Sequence, residues 1–114
     1  MKMKYFTYEE FDSPDIQGSG QLMSEELLNM LEVARKNYGK PIVINSGYRT
    51  EAHNEKVGGT SKSSHLKGLA ADIACSASLE RFKLIKILIK VGFKLYKKTF
   101  KHSELVNLYK LTIN

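Results

Sequence analysis

The chain has 114 residues, 42% hydrophobic and 26% charged, with a formal net charge of +6. That length supports a single core and not two, so residues 1–114 are expected to form one domain. The composition is that of an ordinary globular chain, no apolar run is long enough to span a membrane, and one cysteine, Cys75, excludes an internal disulfide. Lys2 and Lys4 are not followed by an apolar segment, so no secretory signal is visible and the chain is expected to be made in the cytoplasm.

The charge is unevenly spread. Residues 1–34 carry two lysines against seven acids, a net of −5, whereas residues 81–114 carry nine basic residues and one acid, a net of +8. A basic face of this kind could hold nucleic acid or an anionic polymer. Several of the lysines fall between apolar positions of one helical pattern, which is the mark of a solvated surface, and no nucleic-acid motif accompanies them. No nucleic-acid partner and no membrane are therefore expected.

Residues 5–22 read as an irregular lead-in, with turn chemistry at Ser13-Pro14-Asp15 and Gly18-Ser19-Gly20. Ser24 suits an N-cap, and Glu25 and Glu26 suit the positive end of the helix behind it. Leu27, Leu28, Leu31, Ala34 and Tyr38 recur at helical spacing up to Gly39 and Pro41. Ile42-Val43-Ile44 is short, apolar and β-branched, the pattern of a buried strand. It delivers Asn45-Ser46-Gly47-Tyr48-Arg49-Thr50 to a loop, where Arg49 offers a planar fork that can hold a carboxylate. A surface arginine paired with a loop acid is the plain alternative. His53 and Asn54 open a short helical turn ended by Gly58-Gly59, with His53 read as structural before metal-binding. Ser61, Ser63 and Ser64 form a polar loop.

His65 and Asp72 stand seven positions apart around Gly68. Helical neighbours lie three or four apart, so this spacing suits a turn feeding a strand, with Gly68 at the bend. In a strand over residues 69–74, Leu69, Ala71 and Ile73 point into a core, while Ala70, Asp72 and Ala74 point the other way. His65 could then fold back onto Asp72 in a roomy place, as in a catalytic zinc site that keeps one position for water. On spacing alone, a surface hydrogen bond is the favoured reading. Cys75, next on the strand, is read as a small buried filler.

Beyond it, Ser78 can cap a second long helix, with Leu79, Phe82, Ile85, Leu88 and Ile89 as its core stripe, Lys83, Lys86 and Lys90 outward, and Gly92 at its end. Leu108 to Ile113 has no evident place.

The run Ser63-x-His65-x-x-Gly68-x-Ala70-x-Asp72 resembles the zinc signature of the D-Ala-D-Ala carboxypeptidase and dipeptidase family of metallopeptidases. Ser46-Gly47-Tyr48-Arg49-Thr50, His53-Asn54 and Val57-Gly58-Gly59 are similar to its small branch, which includes many phage-type cell-wall hydrolases; the resemblance covers roughly residues 5–93. It implies an α+β fold (hedgehog/D-Ala-D-Ala peptidase-like), with two main helices on a small, mainly antiparallel sheet that carries a zinc site. It also implies Zn²⁺ as cofactor and a peptidoglycan stem peptide as substrate, cut at D-Ala-D-Ala or within the peptide. His65 and Asp72 match ligand positions, Arg49 a substrate-binding or orienting position, and Ser63 a position that binds substrate or orients His65.

Relatives close on a strand ending in a histidine followed two residues later by an acid. Thr99 to Glu104 can be laid on that ending, with His102 as third metal ligand and Glu104 as catalytic base. The segment is shorter than usual and carries Lys101 where an apolar residue is the rule, and Ser103-Glu104 could equally cap a terminal helix. The expected activity is thus a zinc carboxypeptidase or endopeptidase, monomeric, reaching the wall by release or export. The alternative is a cell-wall-binding module with an incomplete metal site.

Overall fold

The computed structural model describes residues 2–75, 78–98 and 107–113. Four strands, β1 (Val43–Ser46), β2 (Ala70–Cys75), β3 (Lys94–Lys98) and β4 (Asn107–Thr112), form one sheet in the order β1-β2-β4-β3, each neighbouring pair antiparallel. Three helices, α1 (Glu25–Tyr38), α2 (Glu51–Lys56) and α3 (Ser78–Val91), accompany it. This is the expected α+β class, with two long helices and α2 as a short third.

Local chemistry sets the helix ends. The Ser24 hydroxyl accepts the Leu27 N–H, Glu25 and Glu26 occupy the first turn, and Gly39 closes α1 in the left-handed conformation by donating its N–H to the Arg35 carbonyl. Leu27, Leu28, Leu31 and Ala34 then share one core with Leu84 and Leu88 of α3, Ala71, Ile73 and Cys75 of β2, and Leu111 of β4. Alternation along β2 sends Asp72 to the opposite face. The helices therefore cover one side of the sheet and leave the other for chemistry.

Four features depart from the sequence expectations. The lead-in forms two 3-10 turns, Tyr8–Phe11 and Ser19–Leu22, and Phe6 and Phe11 are buried in the main core with their rings edge-on at 5.8 Å. β1 lies at an edge of the sheet, and Val43 is exposed. The core stripe of α3 is Leu84 and Leu88 with Ile87 and Val91 packed beside them, whereas Leu79, Phe82 and Ile89 are 65%, 66% and 58% exposed. The helix is apolar on two sides, and α1 together with β2 and β3 covers only one of them. Finally, the unplaced segment Leu108 to Ile113 supplies β4, which pairs with β2 on one side and β3 on the other.

The corrected stripe has a direct consequence for stability. Leu88→Ala is expected to cost about 2–5 kcal/mol because it leaves a cavity, whereas Phe82→Ala should change stability by less than about 0.5 kcal/mol. Urea unfolding of both variants checks this; equal losses would contradict the assignment of α3's buried face.

Candidate metal centre

β2 is the central support of the site, and its neighbours decide what faces Asp72. A register irregularity between Ile44 and Ser46 makes Ser46 the partner of Asp72 on β1, while Lys110 is its partner on β4. Bulges of this kind re-aim side chains beside functional sites. Here the bulge puts the Ser46 hydroxyl on the same face as Asp72.

The loop after β1 is held from several directions. Tyr48 N–H donates to the Phe11 carbonyl, and Arg49 N–H donates to the His65 carbonyl. Gly47 lies so close to Phe11 that an added Cβ would stand 2.7 Å from the Phe11 Cα. Thr50 caps α2 by accepting the His53 N–H, and its own N–H donates to the Ser13 hydroxyl. Asp15 accepts hydrogen bonds from the Ser13 and Thr50 hydroxyls, which hold its carboxyl below the ordinary aspartate value.

His65 sits in a 3-10 turn over Ser64–Lys67, and the Ser63 hydroxyl caps that turn by accepting the His65 N–H. Gly68 ends it with a φ of 69°, and its carbonyl accepts the Ser24 N–H at the start of α1. A Cβ on Gly68 would meet the Leu22 carbonyl at 2.4 Å, so both the backbone conformation and the packing call for glycine.

The turn brings His65 onto Asp72. Both residues are only 1% exposed, with His65 Nε2 at 3.2 Å from Asp72 Oδ1. His65 Nδ1 lies 2.8 Å from the Gly47 carbonyl oxygen. A carbonyl can only accept, so Nδ1 carries a hydrogen, and Nε2 is the ring atom that faces the carboxylate. The other carboxylate oxygen, Oδ2, accepts from Arg49 Nη2 at 3.3 Å. Arg49 is 8% exposed, and two of its other donors reach the Ser46 hydroxyl through Nε and Asn54 Oδ1 through Nη1. Asn54 is in turn fixed by donating to the Thr60 carbonyl at 2.8 Å. The surface-arginine alternative is therefore corrected: Arg49 is buried and joined to the motif aspartate.

Two ligands about 2.0–2.2 Å from a tetrahedral zinc ion lie about 3.4 Å apart, close to the 3.2 Å between Nε2 and Oδ1. An imidazole lone pair and a carboxylate so close together share a positive charge, either a ring proton or a metal ion. The hydrogen bond from Nδ1–H to a backbone carbonyl is the outer support usual for a metal-binding histidine. His65 and Asp72 fit as two donors. Among the described residues, no third His, Cys, Asp or Glu joins them in a group able to hold a metal ion, His53 included. His102 and Glu104 lie outside the described residues.

A cavity of about 300 Å³ opens beside the pair, bordered by Asp12, Ser46, Arg49, His53, Asp72 and Leu108. Sequence reasoning found His65, Asp72, Arg49 and Ser63. It missed Ser46, Gly47 and Asn54 as partners of those residues. It also missed Asp12, whose carboxylate ties Gly18 and Gly20 by accepting their N–H groups at 3.0 and 2.7 Å. A turn-forming Asp-x-x-x-x-x-Gly-x-Gly spacing was the available signal for the last of these.

Comparison with known families gives one result. The model of the family described as Peptidase M15 matches residues 4–108. No curated protein matches the chain.

The buried pairing also has an energetic consequence. Arg49→Met would remove the guanidinium from the buried Asp72 carboxylate, at an expected cost of about 3–5 kcal/mol. Denaturant unfolding measures this; a loss below about 1 kcal/mol would show that Arg49 does not support the Asp72 carboxylate.

Proposed function

The chain belongs to the Peptidase M15 family, the D-Ala-D-Ala carboxypeptidase-like zinc peptidases, and from that premise we propose that it is a zinc-dependent peptidase cleaving peptidoglycan stem peptides. Membership makes peptidase activity on cell-wall peptides its general class. The finer reading is supported above all by one contact, the 3.2 Å approach of His65 Nε2 to Asp72 Oδ1 beside an open cavity.

In this reading His65 and Asp72 would hold zinc, and His102 is assigned as the third ligand. Zinc held there would supply a water whose pKa is lowered toward about 7 and a charge to polarise the scissile carbonyl. The chain's own residues supply the rest. The Gly47 carbonyl keeps the hydrogen of His65 on Nδ1, leaving Nε2 free to donate its lone pair. Arg49 holds Asp72 Oδ2, which orients Oδ1 toward His65. With three of its donors engaged by Ser46, Asn54 and Asp72, Arg49 acts first as a positioning group, and it also borders the cavity where a peptide carboxylate would lie. Ser63 orients His65 through its turn. Glu104 is assigned as the base that takes the water's proton and passes it to the leaving amine. The enzyme acts as a monomer on the wall, which it reaches by release or export.

The test is hydrolysis of purified stem peptides, followed by release of new amino groups. Wild type should cleave them, lose activity with a chelator and regain it with zinc. His65→Ala, Asp72→Ala and His102→Ala should each lose at least about 100-fold in kcat/KM, as expected when a metal site is dismantled. Full activity in His65→Ala or Asp72→Ala would overturn the metal reading. A folded wild type that binds stem peptides without cleaving them would favour a binding module.

A further inference from the structure

α3 is apolar on two sides, and the protein uses only one of them. Successive helical residues are about 100° apart, so Leu79, Phe82, Lys83, Lys86, Ile89 and Lys90 fall within an arc of about 120°. That arc is centred opposite the buried Leu84 and Leu88, and all six of its residues are exposed. Leu79, Phe82 and Ile89 are thus left in water along most of the helix, with lysines between them. A cavity of about 640 Å³ between α1 and α3, bordered by Met30, Val33, Ile87, Lys90 and Val91, carries the same surface onto α1. Val33 is exposed there as well. A contiguous apolar surface of this kind marks a place of contact.

The charge of the face has one sign. Glu80, the one acid of α3, is already engaged: it takes Lys40 at 2.8 Å, the Tyr38 hydroxyl at 2.8 Å and Lys83 at 3.9 Å. Among the described residues, no carboxylate pairs with Lys86 or Lys90.

We propose that this face of α3 is a peripheral docking surface for an anionic lipid bilayer. Phe82 and Ile89 enter the boundary between headgroups and acyl chains, and Lys86 and Lys90 meet the headgroup phosphates. Long lysine side chains reach past apolar neighbours in this way, burying their stems and keeping the charge in the polar layer. No helix among the described residues is long and apolar enough to cross a membrane, so the contact lies on the bilayer and does not span it.

Other occupants fit less well. A second copy seated symmetrically on the same face would bring its lysines against their own counterparts, and like charges across an interface are unfavourable. An anionic polymer would use the lysines and leave Phe82 and Ile89 in water. Only an anionic lipid surface takes up both. The expectation of no membrane partner treated the lysines alone, because the sequence does not show that α3 buries Leu84 and leaves Phe82 outside; the proposal replaces it.

Docking in this manner leaves the candidate metal centre free. Leu84 and Leu88 share the core with Ile73 and Leu111, whereas Asp72 points to the other side of β2. A chain resting on α3 therefore turns its open sheet face away from the lipid. The proposal goes beyond the peptidase reading and does not depend on it.

The experiment is co-sedimentation of the full chain with vesicles of phosphatidylcholine alone and of phosphatidylcholine with an equal part of phosphatidylglycerol. Wild type should bind the mixed vesicles at least about tenfold more tightly, and less so as salt is raised. Phe82→Ala and Lys86→Gln, each checked for folding by circular dichroism, should each weaken that binding at least about threefold. Lys56→Gln, which removes the same charge from α2, should bind as wild type does. No binding by folded wild type, or equal weakening in Lys56→Gln and Lys86→Gln, would overturn the proposal. Loss in Lys86→Gln without loss in Phe82→Ala would reject lipid in favour of a purely electrostatic polymer site. A dimer in solution that Phe82→Ala dissociates would assign the face to a second copy instead.

Discussion

The fold is arranged around a carboxylate shared by two bases inside the protein. Asp72 offers one oxygen to His65 and the other to Arg49, with almost no access to water. Burying a charge in this way is costly unless it is paired, and each partner arrives on a different piece of chain. His65 comes from a turn that only Gly68 can close against Leu22, and Arg49 comes from a loop pinned to Phe11. The lead-in, which contributes no evident chemistry of its own, is therefore part of the site's support. Phe11 is fully buried beneath that loop, and Ser13 and Asp15 tie it down at Thr50.

Much of this was legible in the sequence because it is local. Ser24, Glu25 and Gly39 mark the ends of α1 by side-chain chemistry that acts within a few residues. The His65-Gly68-Asp72 run reads as a turn feeding a strand, while spacing alone favours a surface hydrogen bond and the meeting of His65 and Asp72 in one site is what the family resemblance implies. Cys75 lies in the core as expected, and burial raises its thiol pKa. The resemblance to M15 peptidases rests on the same run and on the Arg49 loop, and the matched residues extend from 4 to 108.

The parts that escaped prediction depend on what is distant in sequence. Periodicity counts apolar residues but does not say which of two apolar sides a helix will bury: Leu88 is core as expected, but its companion is Leu84, while Leu79, Phe82 and Ile89 of the expected stripe are exposed. Leu108 to Thr112 alternates well enough for a strand, yet its place between β2 and β3 is a matter of pairing. Burial of Arg49 needs partners from positions 46, 54 and 72, and no short motif holds all three. The same non-local pairing puts Lys110 opposite Asp72, which turns a lysine in an unplaced tail into a neighbour of the candidate metal centre. Lys83, Lys86 and Lys90 are exposed as expected, but beside Phe82 and Ile89.

The account turns on whether Asp72 and His65 together hold a metal ion. The most direct measurement is zinc bound per chain at equilibrium, by dialysis and elemental analysis, for wild type and for Asp72→Ala after both are shown to be folded. The account predicts about one zinc in wild type and at least a tenfold weaker site in Asp72→Ala. Equal zinc binding by the two proteins, or none by folded wild type, would contradict it.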